Sequence, residues 1–237
     1  MTFKRNLYCI IAIVMNSYSY AQTVKGIIYT TSLHAIEDVT ELSEKAKTPR
    51  YSSYIYSNDK SIQELISVQE TAIDVKFISH PESLGQFQET TSISLKPHKL
   101  ITYKDYTNDV YRLEASRKNR DLITEHTSIK DHNLTFNWTL HDETKIILGY
   151  TCKKATTEKI LFGRKTHTTA WYTEEIPFND GPGYFNGLPG LILELKNNEH
   201  TLIRFEEIEV FKDKETILEA PKNKNNFISI NEFQRSR

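Results

Sequence analysis

Apolar and polar residues alternate with a period of two along much of this chain, the pattern of half-buried strands rather than helices. The clearest run is Leu134, Phe136, Trp138 and Leu140, opposed by Thr135, Asn137 and Thr139. Ile146, Leu148, Tyr150 and Cys152 repeat the pattern as a core-facing set, and residues 141–144 (His-Asp-Glu-Thr) between the two runs have the chemistry of a hairpin turn. Leu191, Leu193 and Leu195 form another apolar face, opposed by Ile192, Glu194 and Lys196, with Asn197 and Asn198 as a turn signal. Thr201, Ile203 and Phe205 return, after which the apolar phase changes to Ile208 and Val210. A one-residue phase slip turns side chains to the other face, so a β-bulge is predicted near Glu206 and Glu207. Further strands are predicted at 24–33, 51–57, 72–78, 100–106, 110–115 and 121–127.

Helical spacing is sparse. In 35–47 it places Ile36, Val39, Leu42 and Ala46 on one face, with acids early, lysines late and Pro49 beyond. Ser61-Ile62-Gln63-Glu64 has the order of a capping box opening a short helix to Gln69. The pattern predicts a mainly β fold: a curved antiparallel sheet, half-barrel or barrel-like, with one or two short helices. A curved sheet of this size must be filled by side chains, a helix or a ligand.

Composition agrees with strand chemistry, for 13 Tyr and 11 Phe are residues that pack well on a pleated surface. The first 21 residues read differently. Lys4 and Arg5 precede a short apolar run, and Ser19-Tyr20-Ala21 is a small-x-small cleavage signal. This is the layout of a secretory signal peptide, cleaved after Ala21. The apolar run is shorter than the roughly 20 residues a membrane-spanning helix needs. The predicted organisation is a signal peptide at 1–21, one β-rich domain at 22–220 and a loosely held tail at 221–237. The mature protein is expected in the periplasm or outside the cell, without a transmembrane anchor.

Lys and Arg (30) nearly balance Asp and Glu (31), so no basic footprint for nucleic acid is present. Processing removes Cys9 and leaves Cys152 alone, so no internal disulfide is available and the core must hold the fold. Cys152 reads as inert core by its parity with Ile146, Leu148 and Tyr150, or as a nucleophile if a base lies beside it. His132, His141 and His200 fall near predicted turns, and no spacing matches a zinc site. There is no G-x-S-x-G, and the adjacent pairs Glu174-Glu175 and Glu206-Glu207 point to opposite faces of a strand. No catalytic set, metal or cofactor is implied.

The segment 170–195, AWYTEEIPFNDGPGYFNGLPGLILEL, stands apart. Residues 187–192 are the word GLPGLI, with Ile176-Pro177, Gly181-Pro182 and Phe185 before it and Gly149-Tyr150-Thr151-Cys152 upstream. On these residues the chain resembles the GLPGLI family of exported bacterial proteins, a resemblance that implies export but no activity and no catalytic residues. The residues themselves predict two sharp turns, at Gly181-Pro182-Gly183 and, after Gly187, at Leu188-Pro189-Gly190-Leu191, the latter of type II. The segment is then either a structural corner that plugs the sheet, or a ligand mouth lined by Trp171, Tyr172, Tyr184, Phe185 and Leu188. The leading functional expectation is a non-enzymatic binding or accessory protein for a hydrophobic small molecule or an envelope protein. A module that docks partners through its strand edges and an unrecognised hydrolase are the alternatives.

Overall fold

The computed structural model describes residues 22–32, 49–66, 71–78, 88–95, 99–118, 124–161, 164–198, 200–212, 215–222 and 226–236. The leader 1–21 and the helix expected at 35–47 lie outside these residues. The strands are β1 (Gln22–Ser32), β2 (Arg50–Ser57), β3 (Lys60–Leu65), β4 (Thr71–Ile78), β5 (Gln88–Leu95), β6 (Leu100–Asp105), β7 (Val110–Lys118), β8 (Thr124–Asp131), β9 (Thr139–Ile147), β10 (Tyr150–Leu161), β11 (Arg164–Thr173), β12 (Leu191–Asn197) and β13 (Thr201–Lys212). Among the described residues one short helix, α1, spans Ile230–Arg235.

Eleven strands form one antiparallel sheet in the order β8-β7-β6-β3-β2-β1-β13-β12-β11-β10-β9, and β4 pairs with β5 in a separate ribbon. The first and last strands of this order, β8 and β9, are consecutive in sequence, joined only by residues 132–138. Laid flat, eleven strands would set those edges about 48 Å apart at about 4.8 Å per strand. Eight Cα steps reach at most about 29 Å. The sheet must therefore curl, as the alternation predicts, while its edges stay unpaired with each other.

The bulge expected near Glu206 is present. Ile27 faces Glu207 and Ile28 faces Phe205, so Glu206 is the extra residue of β13. Val24 and Ile28 of β1 and Phe205 of β13 thereby share one buried cluster with Tyr54 and Tyr56 of β2.

Four local expectations are corrected. Residues 60–65 form β3 instead of the start of a helix, because Asn58 and Asp59 both take positive φ (52° and 55°) and turn the chain straight back along β2. Residues 132–138 lie outside the ladder; Phe136 and Trp138 still pack against the second cluster, so the alternation marks side-chain faces without a paired strand. The turn expected at 141–144 lies at Leu148 and Gly149 (φ 51° and 85°), which leaves Ile146 66% and Leu148 40% exposed rather than in the core. Finally, β12 is buried on both faces. A register shift against β11 between Trp171 and Tyr172 sends Leu191 and Leu193 into the first cluster and Ile192 and Leu195 into a second with Ala155, Ala170 and Tyr172.

The tail is held at several points. Ile228 bridges Ile129 at the free edge of β8, with hydrogen bonds of 3.0 Å to and from the strand. Arg112 donates to the carbonyl of Pro221 at 2.8 Å and stacks on Phe227 at 4.5 Å. Ser229 and Glu232 close a capping box on α1, and Ile230 is buried.

Candidate functional site

The loop 174–190 connects β11 to β12 and packs on the buried clusters of the sheet. Ile176 joins the first cluster with Phe178 against it; Phe185 and Leu188 join the second with Tyr184 against it. The five residues expected at a ligand mouth are thus divided. Tyr172, Phe185 and Leu188 are core at 1% exposure, Tyr184 packs beside them, and Trp171 packs on the other cluster. Phe185 and Tyr184 continue into ring contacts with Phe136, at 5.1 and 6.4 Å between centroids.

The turns differ in detail from the expectation. The amide of Phe185 donates to the carbonyl of Pro182 at 3.2 Å, closing the first. At the second, Gly190 donates to Leu188 at 2.8 Å, a three-residue turn around Pro189, and Leu191 donates instead to Ile176 at 3.0 Å. The type II geometry fails because the amide of Leu191 is needed across the loop base. Gly190 is required by proximity: a Cβ there would overlap the carbonyl oxygen of Thr173. Pro177, Asn179, Gly187, Leu188, Pro189 and Gly190 line an open depression of about 440 Å³.

A buried charge pair that sequence reading missed fixes the loop. Asp180, fully buried, forms an ion pair with Lys104 of β6, which is 2% exposed. Its Oδ1 also accepts from Tyr106 Oη and the Gly181 amide, both at 2.7 Å, and its Oδ2 accepts from Tyr54 Oη at 2.7 Å. Lys104 Nζ donates further to the carbonyls of Gly181 (2.7 Å) and Phe185 (3.2 Å). All three ammonium protons are then used. Burial pulls the Lys104 ammonium below its ordinary value against the opposing pull of Asp180, and burial followed by the Asp180 charge pushes the Tyr54 and Tyr106 phenols up. The network clamps the loop onto β2 and β6 and engages every ammonium proton of Lys104. The sequence signal was thin: one aspartate inside an aromatic, glycine-rich loop, with partners 126 and 74 residues away.

The other candidate groups are not gathered. Cys152 Sγ is buried and donates to the Tyr150 carbonyl at 3.6 Å. Burial pushes its thiol up to about 11, the opposite of what a nucleophile needs. His132 pairs with Asp109 at 2.8 Å on the surface and His141 with Thr156 at 2.8 Å. Glu174 pairs with Lys153 and Glu175 with the Thr151 amide. Among the described residues no three His, Cys, Asp or Glu side chains meet as a metal would need, and no helix is long and apolar enough to cross a membrane.

These raised values set an alkaline limit. Cys152 at about 11, with Tyr103 and Tyr184 each at about 12, all through burial first, keep their protons in the folded chain. In the unfolded chain the same groups ionise near about pH 8.5 and about pH 10. Their stabilising contribution is complete below those unfolded values and is lost as pH rises toward the folded ones. The urea midpoint is expected to be insensitive to these groups up to about pH 8.5 and to fall progressively between about pH 9 and 11; a midpoint unchanged at pH 11 would contradict this.

Comparison with known proteins follows the same residues. The family model that matches, over residues 51–232, is that of the N-glycanase peptide, N-terminal domain. This overturns the resemblance to the GLPGLI family. The word at 187–192 encodes a turn around Pro189 and a close approach at Gly190, a local geometry that does not carry a family. No curated protein matches the chain. Two solved structures of PNGF-II, in space groups P21 and C2, are similar at 17% and 16% identity over 88% and 91% of this chain, each with a TM-score of 0.49. The chain spans only 31% and 33% of the length of those structures.

Proposed function

Because the chain belongs to the family of the N-glycanase peptide, N-terminal domain, we propose that it is a non-enzymatic accessory module that binds glycosylated partners in the cell envelope, exported by its N-terminal leader and cleaved after Ala21. The observation that carries this reading is the packing of loop 174–190. Its Ile176, Phe185 and Leu188 join the two buried clusters, and Asp180, its buried carboxylate, is held by Lys104, Tyr106, Tyr54 and the Gly181 amide. Recognition then falls to the surface, which favours a large partner over a small hydrophobic molecule held inside. The hydrolase alternative loses ground with Cys152 buried and protonated and the acids dispersed in separate ion pairs. Docking by strand addition at β9, whose outer edge is unpaired among the described residues, is opposed by the irregular pairing between Thr144 and Leu140, where His141, Asp142 and Glu143 lie opposite the single Lys154. Bulges and charges of this kind discourage edge pairing.

The test is incubation of the mature chain, residues 22–237, with an N-glycosylated ribonuclease, followed by mass measurement of the ribonuclease. The expected result is an unchanged glycoprotein mass after prolonged incubation. Loss of the glycan would establish an enzyme and overturn the reading.

A further inference from the structure

We propose that a row of side chains crossing one face of the sheet, from Tyr51 through Tyr29, Arg204 and Glu194 to Trp171, is a platform for an extended neutral oligosaccharide. The proposal rests on the glycan-binding reading above and assigns it a place. Tyr29 is in register with Tyr51 and with Arg204, Arg204 with Glu194, and Glu194 with Trp171. Residues directly opposite on neighbouring strands share a face, so these five form one line across β2, β1, β13, β12 and β11.

The chemistry of the line is mixed in a specific way. Tyr51 is 39% exposed at one end, and Tyr29 and Trp171 are half-buried along it. Between the aromatic groups lies a charged centre. Glu194 accepts from Lys145 at 2.6 Å and lies 3.8 Å from Arg204. The same cations brace the rings, Lys145 at 4.3 Å from the centroid of Trp171 and Arg204 at 5.7 Å from that of Tyr29. The Arg204 side chain is 42% exposed, while its Nε is shielded and has no acceptor among the described residues.

A sugar ring offers an apolar C–H face bordered by hydroxyls, and binds where a flat aromatic surface adjoins fixed donors and acceptors. Tyr29 and Trp171 stand three strand spacings apart, about 14 Å at about 4.8 Å per strand, a length covered by a few linked sugar rings with their hydroxyls over Arg204, whose side chain is 42% exposed, while Glu194, 8% exposed, holds Arg204 and Lys145 in place. Lys145 and Arg204 around Glu194 leave one net positive charge, too little to hold a polyanion. Charges at the middle of the line also differ from the charge-depleted centre of a protein interface. An uncharged, hydroxyl-rich chain lying across the strands fits both features.

The test is titration of tryptophan emission with chitotetraose, a mannose tetrasaccharide and a free high-mannose N-glycan. At least one sugar is expected to shift the emission, and calorimetric titration with the same sugar is expected to show a loss of affinity of about tenfold or more in Trp171→Phe. Tyr51→Ser and Arg204→Lys, which keeps a cation beside Glu194, are each expected to weaken binding about tenfold or more, with urea midpoints near that of the unaltered chain. If the chain binds the glycosylated ribonuclease but all three variants keep full affinity, the row is wrong and the accessory reading stands. If neither free sugars nor glycoprotein bind, both are overturned.

Discussion

Asp180→Ala is expected to destabilise the protein by about 3–5 kcal/mol, the usual consequence of leaving one member of a buried ion pair uncompensated. Lys104 would keep its two carbonyl acceptors but lose its counter-charge, at a place where it is 2% exposed. Two phenols, Tyr54 and Tyr106, would lose their acceptor in the same step. For a chain of this size about 2–4 °C of melting temperature accompany each kcal/mol, so the fall is of the order of 10 °C. Lys104→Met is expected to be milder, because Asp180 retains Tyr54, Tyr106 and the Gly181 amide. Thermal melts of both variants check the order; equal or reversed losses would mean that the pair is not the clamp of the loop.

Gly190→Ala should be comparably severe for a different reason. The added methyl group would overlap the Thr173 carbonyl oxygen, and both partners are backbone, so no rotamer change relieves the contact. Overpacking commonly costs about 1–3 kcal/mol where side chains can shift, and more is expected here. Gly187→Ala is the control. Its φ of 92° is strained for alanine, but the nearest atom to the new methyl would be the Trp138 ring nitrogen at 3.4 Å. That strain alone is worth about 1–2 kcal/mol. Urea unfolding of the two variants should separate them clearly, and a Gly190→Ala protein as stable as Gly187→Ala would show that the turn around Pro189 is softer than its geometry.

What the sequence revealed and what it concealed follow from how local each feature is. The bulge at Glu206 was legible because a phase slip between Phe205 and Ile208 is written in four consecutive residues. The hairpin of β9 and β10 was misplaced because Leu148 is an unusual residue for positive φ, whereas the polar 141–144 stretch looked like a turn. Residues 132–138 alternate as a strand does, but pairing depends on what lies alongside, which no period reveals. The Leu-Ile-Leu-Glu-Leu run of β12 hid its two-sided burial behind one glutamate, and Glu194 is tolerated there because Lys145 and Arg204 answer it. Ser61-Ile62-Gln63-Glu64 and Ser229-Ile230-Asn231-Glu232 carry the same capping-box order, yet only the second caps a helix. The preceding turn at Asn58 and Asp59 decided against the first. The Asp180 clamp and the row through Trp171 are assembled by strand order alone, so they become visible only with the sheet.

The most direct measurement is native mass spectrometry of the mature chain mixed with two forms of one ribonuclease, with and without a single N-linked glycan. A complex with the glycosylated form only, dissociating on denaturation and leaving both masses intact, is the result predicted for a non-enzymatic glycan-binding module. Equal binding to both forms, or to neither, would contradict it.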